Sequence, residues 1–224
     1  IALVAPWREK CEYEAMCEGD DYWIDPLKLQ KQVDFLDNNP EYGMCYTQCQ
    51  FFYQDKKCLA PKPRGVVYES FEQLIKVNTI PTLTVLMRSN LQKKYTEEIK
   101  PTTKGWLMGD YPMWLWMYLK GKIKFIPDYS SVYRQLEESA SHFKDYSSAK
   151  SFALSTISIK EFYMNLCNVS MKDCVDESNN HMLFDLAFYY KDIADIRFYY
   201  NKLMKKTFKD RLKLFVAYLY NIMA

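Results

Sequence analysis

The residues best suited to chemistry in this 224-residue sequence are carboxylates, and they gather at two places. The first is Cys17-Glu18-Gly19-Asp20-Asp21-Tyr22-Trp23, where three acids fall within four positions at the end of an apolar run, Tyr13 to Cys17. Hard divalent cations take oxygen ligands, and Mg²⁺ or Mn²⁺ beside a phosphate is commonly held by one or two carboxylates plus the phosphate itself. A strand end would deliver such a cluster to the carboxyl edge of an open sheet, where α/β folds bind ligands. The same residues also suit a solvated acidic turn that caps the helix behind it. The second place is Met108-Gly109-Asp110-Tyr111-Pro112-Met113-Trp114-Leu115. An aspartate there can cap the helix that follows. It can equally act as a general base, because a hydroxyl is a poor nucleophile until a positioned carboxylate begins to take its proton.

Other chemistries are poorly supplied. With only two histidines, His142 and His181, neither Ser/His/Asp nor Cys/His catalysis is supported. The six glycines form no lysine-bearing phosphate loop. Seven cysteines show no framework; Cys45 and Cys49 are four apart but lack a second pair at zinc spacing, so free, mostly buried thiols in a reducing cytoplasm are expected. A formal charge of +2 argues against a nucleic-acid partner. No apolar run approaches the roughly 18 residues that cross a bilayer, and no secretory leader is recognisable. Asn168-Val169-Ser170 matches the glycosylation pattern and reads as accidental in that setting.

The elements that must position the two acidic places follow from periodicity. Ile1 to Pro6 and Tyr13 to Cys17 read as strands. Asp25 and Pro26 open a helix with Leu29, Val33 and Leu36 on one face, and Asn38-Asn39-Pro40 closes it. Gly43 to Tyr53 suits a strand, Lys56 to Gly65 a surface loop, Phe71 to Val77 a short helix and Thr82 to Arg88 a buried strand. Met113 to Leu119 predicts a helix buried nearly all round. Ile123 to Ile126 and Ser131 to Arg134 predict strands either side of a Pro127-Asp128 turn, and from Ser147 onward the pattern is helical, with one long segment from His181 to Met223. The fold class expected is α/β: a sheet domain over residues 1–145 and an all-helical region over 146–224.

With these residues in view, Glu18-Gly19-Asp20-Asp21-Tyr22-Trp23-Ile24-Asp25-Pro26-Leu27-Lys28-Leu29-Gln30-Lys31-Gln32 resembles the Asp-x-Asp region of bacterial family-2 glycosyltransferases of the GT-A fold. There an acidic strand end is followed by Trp, then Pro, then a Lys-Leu-bearing helix. The likeness spans roughly residues 11 to 142. It implies a GT-A-like, Rossmann-like mixed sheet flanked by helices, and it gives residues roles. Asp20 and Asp21 would meet Mn²⁺ or Mg²⁺, and with Glu18 and Arg134 would hold the diphosphate of a nucleotide-sugar donor. His142 is a further candidate metal ligand, or else a surface histidine. Asp110, in a Gly-Asp pair ahead of an x-x-Trp-Leu helix, would be the general base. Trp23, Arg88, Tyr111 and Trp114 would line the acceptor side, although Arg88 reads equally well as the end of an ordinary core strand. Two departures stand out: Glu18 occupies a position that is commonly Asp, and one extra residue precedes Pro26. Of the nucleotide-binding half that ordinarily lies ahead of the motif, only Ile1 to Pro6 has a counterpart, so a truncated or gapped portion of a longer chain is expected.

The function this implies is inverting transfer of a sugar from a nucleotide-diphosphate donor to a hydroxyl of a glycan or lipid-linked acceptor, in the cytoplasm or at the inner face of its membrane. Two rivals are a non-catalytic binding or assembly protein on the same fold, and a metal-dependent nucleotidyl- or phosphotransferase. The basic, aromatic tail from Lys191 to Lys213 reads as the charged outer face of packed helices, as a peripheral membrane contact, or as a homodimer surface.

Overall fold

The computed structural model describes residues 10–136, 143–167 and 172–223. They fall in two compact units, Ile1–Gly105 with Gly109–Ser139, and Trp106–Met108 with Ala140–Ala224. In the first unit the elements run β1 (Tyr13–Ala15), β2 (Tyr22–Trp23), α1 (Lys28–Asn38), β3 (Tyr42–Tyr53), β4 (Cys58–Leu59), α2 (Phe71–Lys76), β5 (Val85–Arg88), α3 (Ser89–Ile99), α4 (Tyr111–Lys120) and β6 (Lys122–Gln135). The sheet order is β1-β5-β3-β6-β2, with β4 hairpinned onto β3. Only β3 and β6 run parallel; the remaining pairs are antiparallel. The fold is therefore mixed α/β, a curled sheet flanked by helices, and the second unit is helical. The expected strand at Ile1 to Pro6 lies outside the described residues.

The central strand β3 buries Gly43 to Thr47 without a break, as a strand covered on both faces must. Against it lies α4, whose Tyr111 through Met117 are all buried. That agrees with the apolar character of the helix on every side. The Leu27 amide donates to Asp25 Oδ1 at 2.9 Å in a turn ahead of α1, so the helix begins at Lys28 with Leu27 at its N-cap and no side-chain cap, two residues later than expected, and it stops just ahead of Pro40.

Four other elements differ from the sequence reading. Pro127 does not interrupt the last strand: β6 runs through it, because between the pairs Tyr46–Phe125 and Gln48–Tyr129 two extra β6 residues bulge out of register. A proline lacks the ladder donor, and a bulge is where that lack is tolerated. Thr82 to Thr84 wind as a 3₁₀ turn, leaving the strand only Val85–Arg88. Ser89–Ile99, which the sequence reading left unassigned, is a helix whose buried Gln92, Tyr95 and Ile99 form one face. The expected loop after Tyr53 contains β4, reached through Lys57 in the left-handed region at φ 51°.

In the second unit the long helical segment is three pieces: the end of α6 (Lys172–Tyr189), then α7 (Ile193–Lys202) and α8 (Phe208–Met223), following α5 (Tyr146–Cys167). Lys191 takes φ 60° and Asp192 caps α7 by accepting the Asp195 amide at 2.8 Å. Thr207 and Asp210 exchange bonds reciprocally at the start of α8, with the Thr207 amide to Asp210 Oδ2 at 2.8 Å and the Asp210 amide to Thr207 Oγ1 at 3.2 Å. Leu183, Phe184, Ile196, Tyr199 and Ala217 make the core of this unit, and Trp106 packs edge-on to Phe162 with ring centroids 5.3 Å apart. All seven cysteines are free, but only Cys45 and Cys49 are buried; Cys11, Cys17, Cys58 and Cys174 are exposed, correcting the expectation of mostly buried thiols.

A buried polar network joins α1 to the sheet. Lys28 is 1% exposed. Its Nζ donates to Gln32 Oε1 at 2.8 Å and lies 4.6 Å from the Trp23 ring centroid. Gln32 Nε2 in turn donates to the Thr84 carbonyl at 2.9 Å. Burial lowers the Lys28 ammonium to about 8. A cation whose folded value is depressed loses stability as pH falls from its unfolded value, 10.5 for Lys28, toward the folded one, below which the penalty is complete. Lys28→Met is therefore expected to gain on the wild type by about 1 kcal/mol at pH 7, a charge penalty of roughly 3 kcal/mol partly offset by the lost hydrogen bond. The advantage disappears near pH 10; thermal melts of both proteins at the two pH values check it.

Candidate active site

The acidic segment follows β1 at one edge of the sheet and leads into β2 at the other. Its turn is closed by the Asp21 amide donating to the Glu18 carbonyl at 3.1 Å. A Cβ built on Gly19 would meet no atom within 4 Å, and the same holds for Gly109, so both acidic motifs border open space. Strand β6 supplies the local cation. The Arg134 amide donates to Asp21 Oδ1 at 2.8 Å, and the Arg134 Nε–H to the Asp20 carbonyl. The arginine thus fixes the backbone of the acidic turn. Asp21 is pushed up to about 6, first by burial and then by its neighbours Asp20 and Glu18, against the lowering pull of Arg134.

Asp110 stands at the first turn of α4, partly buried. It occupies the N-cap position without a side-chain capping bond, although the Tyr111 amide at the start of the helix reaches its carboxyl. Its carboxyl is held above the usual aspartate range mainly by burial. The nearby amides of Tyr111 and Asp110 itself and the Thr82 hydroxyl oppose that rise, while the charge of Glu18 adds to it. This last effect is what ties the two acidic places together: Glu18 and Asp110 sit in one unit, close enough for one charge to act on the other. Tyr95 of α3 also feels the charge of Asp110.

The other residues expected at the site divide differently. Arg88 is committed to structure: its Nε–H donates to the Tyr42 carbonyl at 2.9 Å, one terminal nitrogen to the Leu36 carbonyl at 2.6 Å, and the other to the Tyr13 hydroxyl at 3.3 Å. It pairs with Tyr13, the end of β1 away from the acidic turn. Tyr111 is 1% exposed and its hydroxyl donates to the Ile75 carbonyl at 2.7 Å, closing the end of α2. Trp23 donates its indole N–H to the Leu83 carbonyl at 2.9 Å. Trp114 is 0% exposed, and among the described residues its indole N–H has no hydrogen-bond partner. Tyr111 and Trp114 are closed to a ligand in this conformation, whereas Trp23 and Arg88 are half-buried. His142 lies outside the described residues.

Three residues near the site went unnoticed in the sequence. Tyr22, 43% exposed, precedes the inward Trp23 on β2; adjacent strand residues point to opposite faces, so of the pair only Tyr22 is open. Tyr95 is 3% exposed and its hydroxyl, like the Trp114 indole, lacks a partner among the described residues. Thr82 reaches the Asp110 carboxyl. The Gln92, Tyr95, Ile99 spacing was the signal that would have found Tyr95.

Among the described residues no three His, Cys, Asp or Glu side chains stand together to hold a metal ion unaided. Asp21 is crowded by the like charges of Asp20 and Glu18, and Arg134 opposes them.

No family model matches the chain. It is similar to an uncharacterized protein of Mycobacterium bovis and to uncharacterized proteins of two Mycobacterium tuberculosis strains, each 34% identical over 129 residues. The aligned stretch takes up 55% of this chain and 35% of each relative, so the match spans about a third of the length of those proteins.

Proposed function

We propose that the chain carries the acidic centre of a GT-A-type glycosyltransferase that moves a sugar, with inversion, from a nucleotide-diphosphate donor to a hydroxyl of a glycan or lipid-linked acceptor on the cytoplasmic side. What supports this reading is the half-buried Asp110 at the head of α4 and the Glu18-to-Asp21 turn in the same unit, each beside a glycine that borders open space. Asp110 takes the proton of the acceptor hydroxyl as that oxygen bonds to the anomeric carbon. The bond from that carbon to the diphosphate oxygen breaks on the opposite face, and the nucleoside diphosphate leaves with the electron pair. Asp20 and Asp21 would hold Mn²⁺ or Mg²⁺, which when bound neutralises charge growing on the departing diphosphate. Arg134 keeps the turn in shape, and its guanidinium would also meet a phosphate oxygen. Asp110 also does better as a base for its burial, since a raised pKa makes a carboxylate more basic.

Thermal shift with UDP-, GDP- and dTDP-sugars in the presence of Mn²⁺, on the full-length protein, tests this. One nucleotide class should raise the melting temperature only when the metal is present. Asp20→Ala should abolish that rise, a loss of affinity of about 10²-fold or more. A rise that persists in Asp20→Ala would refute the metal role of the turn.

A further inference from the structure

Helix α8 is apolar on two sides. Its inner face packs Ala217, with Leu214, onto the core of the helical unit. Its outer face leaves Phe208 82%, Leu212 49%, Phe215 58% and Leu219 44% exposed. Steps of four, three and four residues set these side chains in one stripe along the helix. Isolated exposed apolar residues are ordinary, but a continuous stripe with two phenylalanines is not.

The charges on the segment that carries the stripe are mostly of one sign, although Asp185 of α6 pairs with Lys213 and Glu177 of α6 accepts the Met204 and Lys205 amides. From Ile196 to Met223 there are seven Lys or Arg and a single acid, Asp210. That acid is 4% exposed and spent on capping the helix. Lys202, Lys205, Lys206, Lys209 and Arg211 are exposed, and Lys206 donates to the Leu203 carbonyl, which keeps its stem beside the helix start. Among the described residues no helix is long and apolar enough to cross a membrane. An apolar stripe bordered by lysines, on a helix too charged to insert, is the pattern that lies flat in a lipid interface.

We infer that α8 docks the helical unit onto an anionic membrane surface, its Phe208–Leu219 stripe in the acyl boundary and its flanking lysines among acidic headgroups. The inference rests on the helical unit alone and does not depend on sugar transfer. Charge complementarity selects this occupant. A second copy would oppose one lysine rim with another, and a nucleic acid would give Leu212 and Leu219 no apolar partner.

The test is co-sedimentation of the full-length protein with vesicles. One set holds equal parts phosphatidylglycerol and phosphatidylcholine; the other holds phosphatidylcholine alone. Binding should be tighter to the anionic vesicles by about tenfold or more and should weaken as salt rises. Phe208→Ser with Phe215→Ser, both solvent-facing, should lose about tenfold in affinity while circular dichroism is unchanged. Lys205→Glu with Lys209→Glu leaves the stripe intact and should lose at least as much through charge alone. The inference fails if the wild type stays in the supernatant, as it would with the stripe covered by another segment. It fails equally if either variant pair binds as well as wild type. Conversion of a dimer to a monomer by the serine pair, seen by light scattering with vesicle binding unaltered, assigns the stripe to self-association instead. Duplex oligonucleotide bound as tightly as anionic vesicles, with the serine pair indifferent, assigns the cations to nucleic acid.

Discussion

Asp110→Asn is expected to cut sugar transfer by about 10³-fold while leaving metal-dependent donor binding within a factor of about two. The carboxamide keeps the size and polarity of the side chain but cannot take a proton, so the loss should fall on turnover and not on affinity. Because Asp110 makes no capping bond in α4, the substitution removes no helix cap, and stability should not fall. The sign of the stability change can be worked out. Burial and Glu18 raise the folded-state value of this carboxyl. A group with a raised folded value contributes stability below its unfolded value, and that contribution is lost as pH rises through the folded value. At neutral pH the ionised Asp110 is therefore a cost, and Asp110→Asn should melt at or above the wild-type temperature. A variant that loses activity while gaining stability marks a residue kept for function. The pH profile of transfer supplies a second reading: its acidic limb should lie above the ordinary aspartate value of 3.8. Glu18→Gln removes a neighbouring negative charge and should move that limb down. Full turnover in Asp110→Asn would end the base assignment.

Arg88→Met is expected to do the reverse, lowering stability by about 2–3 kcal/mol, or roughly 5–10 °C in melting temperature, with turnover per folded molecule unchanged. The guanidinium draws the end of α1, the start of β3 and the start of β1 together through the Leu36 and Tyr42 carbonyls and the Tyr13 hydroxyl. It also lies 5.5 Å from the Tyr13 ring centroid. Methionine fills much of the same volume but leaves these acceptors without a charged donor. Arg88→Lys keeps the charge without the planar fork and should fall between the two. Thermal melts and acceptor titrations separate the outcomes: a rise in acceptor KM with an unchanged melting temperature would return Arg88 to the acceptor side.

What the sequence determined by itself was local. The acidic runs at Glu18 to Asp21 and at Asp110, the burial of α4 and the close of α1 before Pro40 all depend on residues a few positions apart. Periodicity, capping chemistry and proline geometry act over that range, so they are legible in one dimension. What only the tertiary structure decided was which distant groups meet. Arg88 has its partners 46, 52 and 75 residues away, and no pattern near position 88 separates a strand-end arginine that binds a ligand from one that ties three elements together. The alternation of β2 turned Trp23 toward the Leu83 carbonyl and left Tyr22 open. The bulge opposite Thr47 let β6 carry Pro127. Glu18 and Asp110 came within reach of each other's charge only because the turn after β1 and the start of α4 fold into the same unit. Short-range rules choose the elements, but the electrostatic coupling of a site falls off with distance in space, and the sequence does not record that distance.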